Sequence, residues 1–258
     1  MTNLQPQPSP PSASTSRPRS RTSSPPAPAA ASIIDAATAG APMYTPKDFR
    51  VDDLPTLHAD MQRNSFAALV TLTPAGLVAT HLPILLDPQR GPFGTLLGHV
   101  SRANLQWQHT DPATEALLLF TGPDTYVTPN WYPAKQESGR VVPTWNYSAI
   151  HAYGTLSFFD DPERLRTLVT RLTDLHEATF PTPWKVTDAP AIYIDSQLKA
   201  IIGFELPILR IEGKRKFNQN RSTADQAGVV EGLRSLNDPT KSAVADFMQS
   251  LTEKSKPE

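Results

Sequence analysis

A short polar segment at the end of an apolar run contains residue types suited to holding a phosphate. Ser101, Arg102 and Asn104 directly follow the strand-like run at residues 95–100. Together they offer a hydroxyl, a guanidinium with several N–H donors and an amide at one turn, which suits a phosphate monoester. A polar strand end that meets water would contain the same residue types. The residues alone leave both interpretations open.

Three histidines lie inside runs that we predict to be strands: His81, His99 and His151. No two of them have the short spacing in sequence that is typical of metal ligands. A lone histidine in a strand is typical of a hydrogen-bonded barrel residue, so we predict no metal site. Only a cluster of all three in space would favour a metal or a haem.

A second candidate for phosphate contact is the basic run at residues 214–221, which contains Lys214, Arg215, Lys216 and Arg221. Such a run can meet the phosphate of a ligand or of DNA. As a charge run it is more often a solvated loop, and we predict a loop here. No helix-turn-helix or zinc motif accompanies it, so direct DNA binding has weak support.

Residues 124–154 are the aromatic-rich part of the chain, with two of the four tryptophans and four of the six tyrosines. Trp131 and Trp145, with the nearby Lys135, can stack on a planar heterocycle. The same side chains can instead bury a subunit interface or belong to an ordinary core. Composition does not decide among these three interpretations.

Composition limits the class of protein. The chain has 258 residues, a formal net charge of −1 and 39% hydrophobic residues, so it can bury a sizeable core. It contains no cysteine, which excludes a disulfide scaffold, a thiolate metal site and a cysteine nucleophile. No apolar run approaches membrane-spanning length, so we expect no membrane association and a cytoplasmic location.

Residues 1–42 differ in composition from the rest of the chain. They are rich in Pro and Ser, and Asp35 is their only acid. Such a segment cannot bury enough apolar surface to offset its ordering entropy, so we predict a disordered tail. Its Arg and Ser content also fits an organelle-targeting segment, although the Pro content opposes the amphipathic helix that such segments use. Alternatively, Met43 is the working start and residues 1–42 are an upstream extension.

The order of the predicted elements indicates an antiparallel α+β fold. Strands joined by short turns come first, with single strands expected over residues 77–86, 145–159 and 204–211. We expect a bulge or bend at Gly154 in the second of these, and Pro207 places the third at an edge or bulge. Asp53 and Asp161 precede two amphipathic helices as N-terminal caps, and further helices gather near the C-terminus. We predict a small antiparallel barrel flanked by helices, with C-terminal helices after it. A doubly wound sheet is disfavoured because strands and helices do not alternate.

Several segments, in their order along the chain, resemble one known family, the PaiB-type FMN-binding negative transcriptional regulators. The resemblance extends from Met43 to about Leu236, so we predict a domain at residues 43–236 and a C-terminal helix and tail at 237–258. Its motifs are MYTPKDF at Met43, THLPILLD at Thr80, GHVSRANLQW at Gly98, YVTPNWYPAK at Tyr126, VPTWNYSAIHAYG at Val142 and IIGFELPILRIEGKRKFNQNR at Ile201.

The resemblance implies a split β-barrel, shared with pyridoxamine-phosphate oxidases and flavin reductases, and a homodimer with FMN at the subunit interface. It implies that Ser101 and Arg102 hold the flavin phosphate and that the strand around Thr80 runs along the isoalloxazine. Asn218 departs from the family pattern, which has Ser there, so a role for that residue is in doubt. The predicted cofactor-binding residues are Thr80, His81, Ser101, Arg102, Asn104, Trp131, Lys135 and Trp145.

The leading hypothesis is therefore an FMN-binding protein that resembles PaiB-type transcriptional regulators. The alternative is a flavin-dependent oxidoreductase, of the NAD(P)H:flavin reductase or oxidase type, that acts on a small molecule. No residue is identified as its general acid or base. Direct DNA binding through the basic run is a third hypothesis.

Overall fold

The structure, a computed structural model, describes residues 41–254 of the chain. Its strands are β1 (Arg50–Val51), β2 (Phe66–Thr73), β3 (Gly76–Pro83), β4 (Leu85–Asp87), β5 (Thr95–Ser101), β6 (Ala116–Val127), β7 (Thr144–Gly154), β8 (Ser157–Phe159), β9 (Ile201–Pro207) and β10 (Arg210–Lys216). Its helices are α1 (Leu54–Arg63), α2 (Gln106–His109), α3 (Ala134–Ser138), α4 (Pro162–Glu177), α5 (Ala191–Leu198), α6 (Thr223–Ser235) and α7 (Pro239–Lys254). This confirms the α+β class.

The strands form two antiparallel sheets around one core. The first sheet has the order β1-β10-β7-β6-β2-β3 and the second has the order β4-β5-β9-β8. Leu69 and Leu118 of the first sheet and Leu96 and Phe204 of the second belong to the same buried apolar cluster. Two antiparallel sheets that share one core are the split-barrel arrangement predicted from the sequence.

Three predictions of single continuous strands were wrong. Residues 77–86, 145–159 and 204–211 each divide into two strands, and in each case the second strand belongs to the other sheet. At Gly154 the reason is close packing, since a Cβ there would lie 2.1 Å from the carbonyl oxygen of Pro207. The chain leaves the first sheet at Gly154 and enters the second sheet with β8. Alternation of apolar residues shows a strand but not a change of sheet.

Helices cover the second sheet and begin at the predicted caps. The carboxylate of Asp53 accepts from the N–H of Thr56, and that of Asp161 accepts from the N–H of Arg164. In α4, Leu168 and Leu172 pack on the second sheet together with Leu97 of β5. Satisfied N-terminal N–H groups and one apolar face are what the sequence pattern predicts for these helices.

The C-terminal helices α6 and α7 share a second, smaller core with the strands. Val229 and Met248 pack with Val127 of β6, Tyr132 and Phe217. Residues on both sides of the predicted boundary at 236/237 thus pack in one cluster. Residues 42–254 belong to one compact unit. The predicted tail at residues 1–42 lies almost entirely outside the described residues. Over residues 41–254, no helix is both long and apolar enough to cross a membrane.

A nearly buried ion pair joins α1 to β10. The Nε and Nη2 atoms of Arg215 donate to the two carboxylate oxygens of Asp60, at N–O distances of 2.8 and 2.7 Å. The two side chains are only 14% and 9% exposed. Removal of one partner from such a pair leaves a charge that neither water nor protein solvates well.

We expect Asp60→Asn to lower the free energy of unfolding by about 3 kcal/mol, because Arg215 then keeps an uncompensated charge in a poorly hydrated position. Asp52→Asn is the matched control, since Asp52 pairs with Arg50 at the surface and is 70% exposed. Its loss should change stability by less than about 1 kcal/mol. Urea unfolding of both variants measures the difference, and equal effects would contradict this account.

Candidate functional site

The turn after β5 places the predicted phosphate-binding residues at a sheet end. Ser101 is the last residue of β5 and pairs with Ile201 of β9. The N–H of Asn104 donates to the carbonyl of Ser101 at 2.9 Å, which closes the turn. The hydroxyl of Ser101 accepts from the N–H of Ala103 at 3.3 Å, so its own hydrogen can still be donated.

The guanidinium of Arg102 is held in position by the backbone of the neighbouring strand. Its Nε donates to the carbonyl of Lys199 at 2.8 Å and its Nη2 donates to the carbonyl of Ile201 at 3.3 Å. A longer contact of 3.5 Å joins its Nη1 to the carboxylate of Asp160. A guanidinium has five N–H donors, so these contacts orient the group and leave donors for a ligand. With the side chain 39% exposed, the turn fits a phosphate.

A polar network connects this turn to β3. The amide of Asn104 donates to the hydroxyl of Thr80 at 2.9 Å, and that hydroxyl donates to the side-chain oxygen of Gln106 at 2.6 Å. The amide nitrogen of Gln106 in turn donates to the hydroxyl of Thr71 at 3.0 Å and to the carbonyls of Leu69 and Val78 at 3.3 Å. The structure thus brings Thr80 and Asn104 into direct contact, and Gln106 contacts both of them.

Gln106 is the residue that the sequence analysis missed. It is 4% exposed and lies in α2, a helix of a single turn. A glutamine in the motif GHVSRANLQW has no distinctive spacing, and only the tertiary contacts show that it is buried. Its role is to fix the positions of Asn104 and Thr80 beside the phosphate-binding turn.

His81 lies next to Thr80 in β3 but on the opposite, exposed face of the strand. Its ring stacks on that of Phe66 with the centroids 6.3 Å apart and an interplanar angle of 25°. A flat ligand laid along this face would contact His81 and Phe66, whereas one in the polar network would contact Thr80. The two neighbouring residues therefore serve different surfaces.

Trp131, Lys135 and Trp145 lie in other parts of the fold. Trp131 packs on α6, where a Cβ at Gly232 would lie 2.4 Å from the indole ring. The ammonium of Lys135 donates to the side chain of Asn130 at 2.6 Å. Trp145 is an exposed residue of β7 that meets Tyr126 edge to face. Within the described part of one chain, no hydrogen bond, ion pair or ring contact joins these three residues to the turn after β5.

The three strand histidines do not form a metal site. His81 and His151 project from the exposed face of the first sheet, and His99 lies in the second sheet opposite Gly203. Burial lowers the pKa of His99 and of His151 below the ordinary histidine value, which keeps both rings neutral. Among residues 41–254, no group of three or more His, Cys, Asp or Glu side chains could hold a metal.

The prediction of a solvated loop for the basic run was wrong in its first half. Lys214, Arg215 and Lys216 belong to β10 and make contacts within the chain. The ammonium of Lys214 donates to the carbonyl of Tyr44 at 2.9 Å, and Lys216 donates to the hydroxyl of Thr144. Arg215 pairs with Asp60, as described above. Each of these charged groups therefore has a partner within the chain, although an ammonium with one or two acceptors still has an N–H donor left for a ligand.

The exposed face of β2, β3 and β6 is unusually apolar. Alternation places one set of side chains in the core and the other outside. The outside set, which we call the outer apolar face, consists of Phe66, Ala68, Val70, Leu72, Leu77, Ala79, Leu117 and Leu119. Phe66 and Leu77 are 64% and 76% exposed. A contiguous apolar sheet face of this kind typically marks an interaction surface.

Comparison with known proteins gives consistent matches. Residues 43–210 match a family described as "Putative FMN-binding domain". The chain is 31% identical over 212 residues to Protease synthase and sporulation protein PAI 2 of Bacillus subtilis, across 82% of this chain and 99% of that protein. It is 37% identical over 201 residues to an uncharacterized protein of Aspergillus fumigatus, across 62% of this chain and 77% of that protein.

The solved structure of the FAD and heme binding protein from Mycobacterium smegmatis is similar over 65% of this chain and 73% of that chain, with a TM-score of 0.48 and 14% identity. So distant a similarity carries no functional inference. The sequence matches, in contrast, confirm the resemblance predicted from the ordered motifs.

We expect Gln106→Leu to lower the free energy of unfolding by about 2 kcal/mol or more, because it leaves buried hydroxyl and carbonyl partners without a hydrogen bond. Gln108→Leu is the control, since Gln108 lies in the same short helix with an exposed side chain. The control should stay within about 0.5 kcal/mol of the parent in chemical unfolding. A neutral Gln106→Leu would show that the network does not stabilise the turn.

Proposed function

Because the chain belongs to the family of PaiB-type FMN-binding domains, we propose that it is a homodimeric flavoprotein that holds the phosphate of FMN at the turn after β5. The observation that carries this proposal is the anchored guanidinium of Arg102, whose orientation is set by the carbonyls of Lys199 and Ile201. Ser101 adds a hydroxyl donor beside it. A dianionic phosphate needs such converging donors.

The remaining residues of the turn support the same assignment. Thr80 donates to the side chain of Gln106 and Asn104 accepts from its backbone N–H, so their polar atoms have defined positions before any ligand arrives. Preorganised groups lose little conformational entropy when a ligand binds. FMN, when bound, supplies hydride and electron transfer, and the protein supplies its position and surroundings.

The homodimer is supported by the outer apolar face. Its residues lie on the sheet that contains β3, the strand that the family resemblance places along the isoalloxazine. A second copy of the chain that covered this face would remove Phe66 and Leu77 from water, which favours association. The family resemblance implies a flavin at the subunit interface, and we propose that Trp131, Lys135 and Trp145 contact it from the second copy of the chain.

The regulatory role implied by the family resemblance is part of the proposal, and one relative is named as a sporulation protein. We do not assign a DNA contact to Lys214, Arg215 or Lys216, because no DNA-binding motif accompanies them in the sequence. The reductase or oxidase alternative stays a prediction, to be tested by reduction of the bound flavin with NADPH.

We expect Arg102→Ala to weaken FMN binding by about 1.5–3 kcal/mol, roughly a tenfold to hundredfold increase in the dissociation constant. The reason is the loss of charge-assisted hydrogen bonds to the phosphate. Titration with FMN, followed by flavin fluorescence, measures the change. Arg50→Ala, which removes an exposed guanidinium paired with Asp52, is the control and should bind FMN like the parent. Equal affinity of Arg102→Ala and the parent would remove Arg102 from the flavin site.

We expect Leu77→Lys to shift the protein from dimer to monomer, because a charge on the outer apolar face must lose its hydration when two copies meet. Ile192→Lys is the matched control, since Ile192 is an apolar residue of α5 that is 85% exposed. Light scattering after size-exclusion chromatography distinguishes the species. A parent that is already monomeric, or a Leu77→Lys variant that stays dimeric, would contradict the proposed interface.

A further inference from the structure

A small basic pocket lies beside the end of β10, apart from the turn after β5. It has a volume of about 180 Å³ and is formed where the segment at residues 142–144 meets Tyr132 and the residues that follow β10. Its polar lining consists of Tyr132, Thr144, Lys216, Asn218, Asn220 and Arg221. Two of these side chains are cationic and none is acidic. The charge of the pocket wall therefore favours an anion.

The two cations of the pocket differ in how they are held. Lys216 donates to the hydroxyl of Thr144 and to the carbonyl of Trp145, which fixes its ammonium at the wall. The guanidinium of Arg221 lies over the ring of Tyr132, 4.6 Å from the centroid. Its N–O distance to the carboxylate of Asp225 is 3.9 Å, too long for a hydrogen bond. Arg221 is thus oriented by stacking on Tyr132 and by a long ion pair with Asp225, and no hydrogen bond to that carboxylate uses its N–H donors.

The buried amide of Asn218 independently indicates that the pocket binds a polar ligand. Asn218 is 3% exposed and has a backbone φ of 66°, in the left-handed region that asparagine tolerates. Its amide nitrogen lies 2.7 Å from the hydroxyl of Tyr132, while its amide oxygen has no partner. If the amide is turned over, Tyr132 donates to the oxygen and a buried NH₂ group is left unpaired instead. Either orientation leaves an unpaired polar atom in the pocket wall, which is costly.

We propose that this pocket, formed by Lys216, Arg221, Asn218 and Asn220, binds the phosphate group of a small molecule or inorganic phosphate. Two cations match the charge of a dianion, and the planar guanidinium of Arg221 matches the geometry of its oxygens. The turned amide of Asn218 supplies a further donor. The volume is below the range of about 300–1,000 Å³ that is typical of drug-sized ligands, so the pocket suits a small anion and not a whole flavin.

Protonation supports the same assignment. Burial lowers the pKa of Lys216, and the nearby charge of Lys214 lowers it further. An anion in the pocket would stabilise the charged ammonium and raise this pKa again. Phosphate should therefore bind more tightly as the pH falls through the pKa of Lys216.

Calorimetric titration of the full chain with inorganic phosphate, at constant ionic strength and with chloride as the reference anion, tests the proposal. We expect saturable binding of one phosphate per chain at this pocket, besides any phosphate that the turn after β5 takes up in the absence of FMN. Asn220→Asp should weaken it at least tenfold, because this exposed side chain then places a negative charge at the rim without a change in volume. Arg221→Gln should weaken it by a similar factor through the loss of charge-assisted hydrogen bonds. Arg234→Gln, on α6 and paired with Asp246, should bind like the parent.

Two further arms separate this pocket from the proposed flavin site. Arg102→Ala should keep the phosphate affinity of this pocket, and saturation with FMN should leave one phosphate bound per chain at the parent's affinity. Glycerol phosphate in place of inorganic phosphate shows which source of the group binds more tightly, and either result supports the pocket. Absence of saturable binding, or equal binding by Asn220→Asp and Arg221→Gln, overturns the proposal. So does loss of binding in Arg102→Ala or displacement by FMN, which would place the phosphate in the flavin site.

Discussion

The close packing of β9 against β5 and β7 is the constraint on which the rest of the structure depends. A Cβ at Gly98 would lie 2.7 Å from the ring of Phe204, and one at Gly154 would lie 2.1 Å from the carbonyl oxygen of Pro207. At both positions only glycine lets the neighbouring strand approach so closely. This approach places Phe204 and Leu206 in the core between the two sheets. The same pairing of β5 with β9 brings the end of β5 beside Ile201.

The geometry of the phosphate-binding turn follows from that register. Ser101 pairs with Ile201, so the next residue, Arg102, meets the backbone carbonyls at the start of β9. The guanidinium is oriented by main-chain atoms whose positions the core already determines. A shift of the register by one residue would place a different side chain against these carbonyls. The core and the candidate site are therefore two results of one strand pairing.

Local sequence patterns predicted the features that depend on local chemistry. Asp53 and Asp161 were recognised as helix caps because a cap needs only a carboxylate and a few N–H groups nearby. The strand end at Ser101 and Arg102 was also predicted, since a polar segment follows an apolar one. Gln106 was missed because its burial depends on Thr71 and Thr80, which are far from it in sequence. The changes of sheet were missed because hydrophobic alternation does not name the strand's partner.

The basic run shows why charge alone gave a wrong prediction of a solvated loop. Residues with the same charge, side by side in β10, point to opposite faces and meet different partners. Arg215 reaches the carboxylate of Asp60, whereas Lys214 and Lys216 donate to backbone and hydroxyl oxygens. A run of cations in sequence predicts a solvated loop only when no such partners exist, and long-range contacts decide that. The family resemblance, by contrast, was confirmed, because it rests on the order of many motifs along the chain.

The charge of Lys216 affects the stability of the fold in the opposite direction from the charges of the ion pairs. The pKa of Glu205 is lowered mainly by its hydrogen bond with Arg90, so this carboxylate contributes stability above its unfolded pKa and loses it as the pH falls. For Lys216, burial and Lys214 lower the pKa of a cation. Its charged form therefore costs stability below the folded pKa, and the cost disappears as the pH rises from that pKa to the unfolded one. Below the folded pKa of Lys216 the chain thus holds a charge that its own surroundings disfavour, and a bound oxyanion would reverse the sign of that contribution.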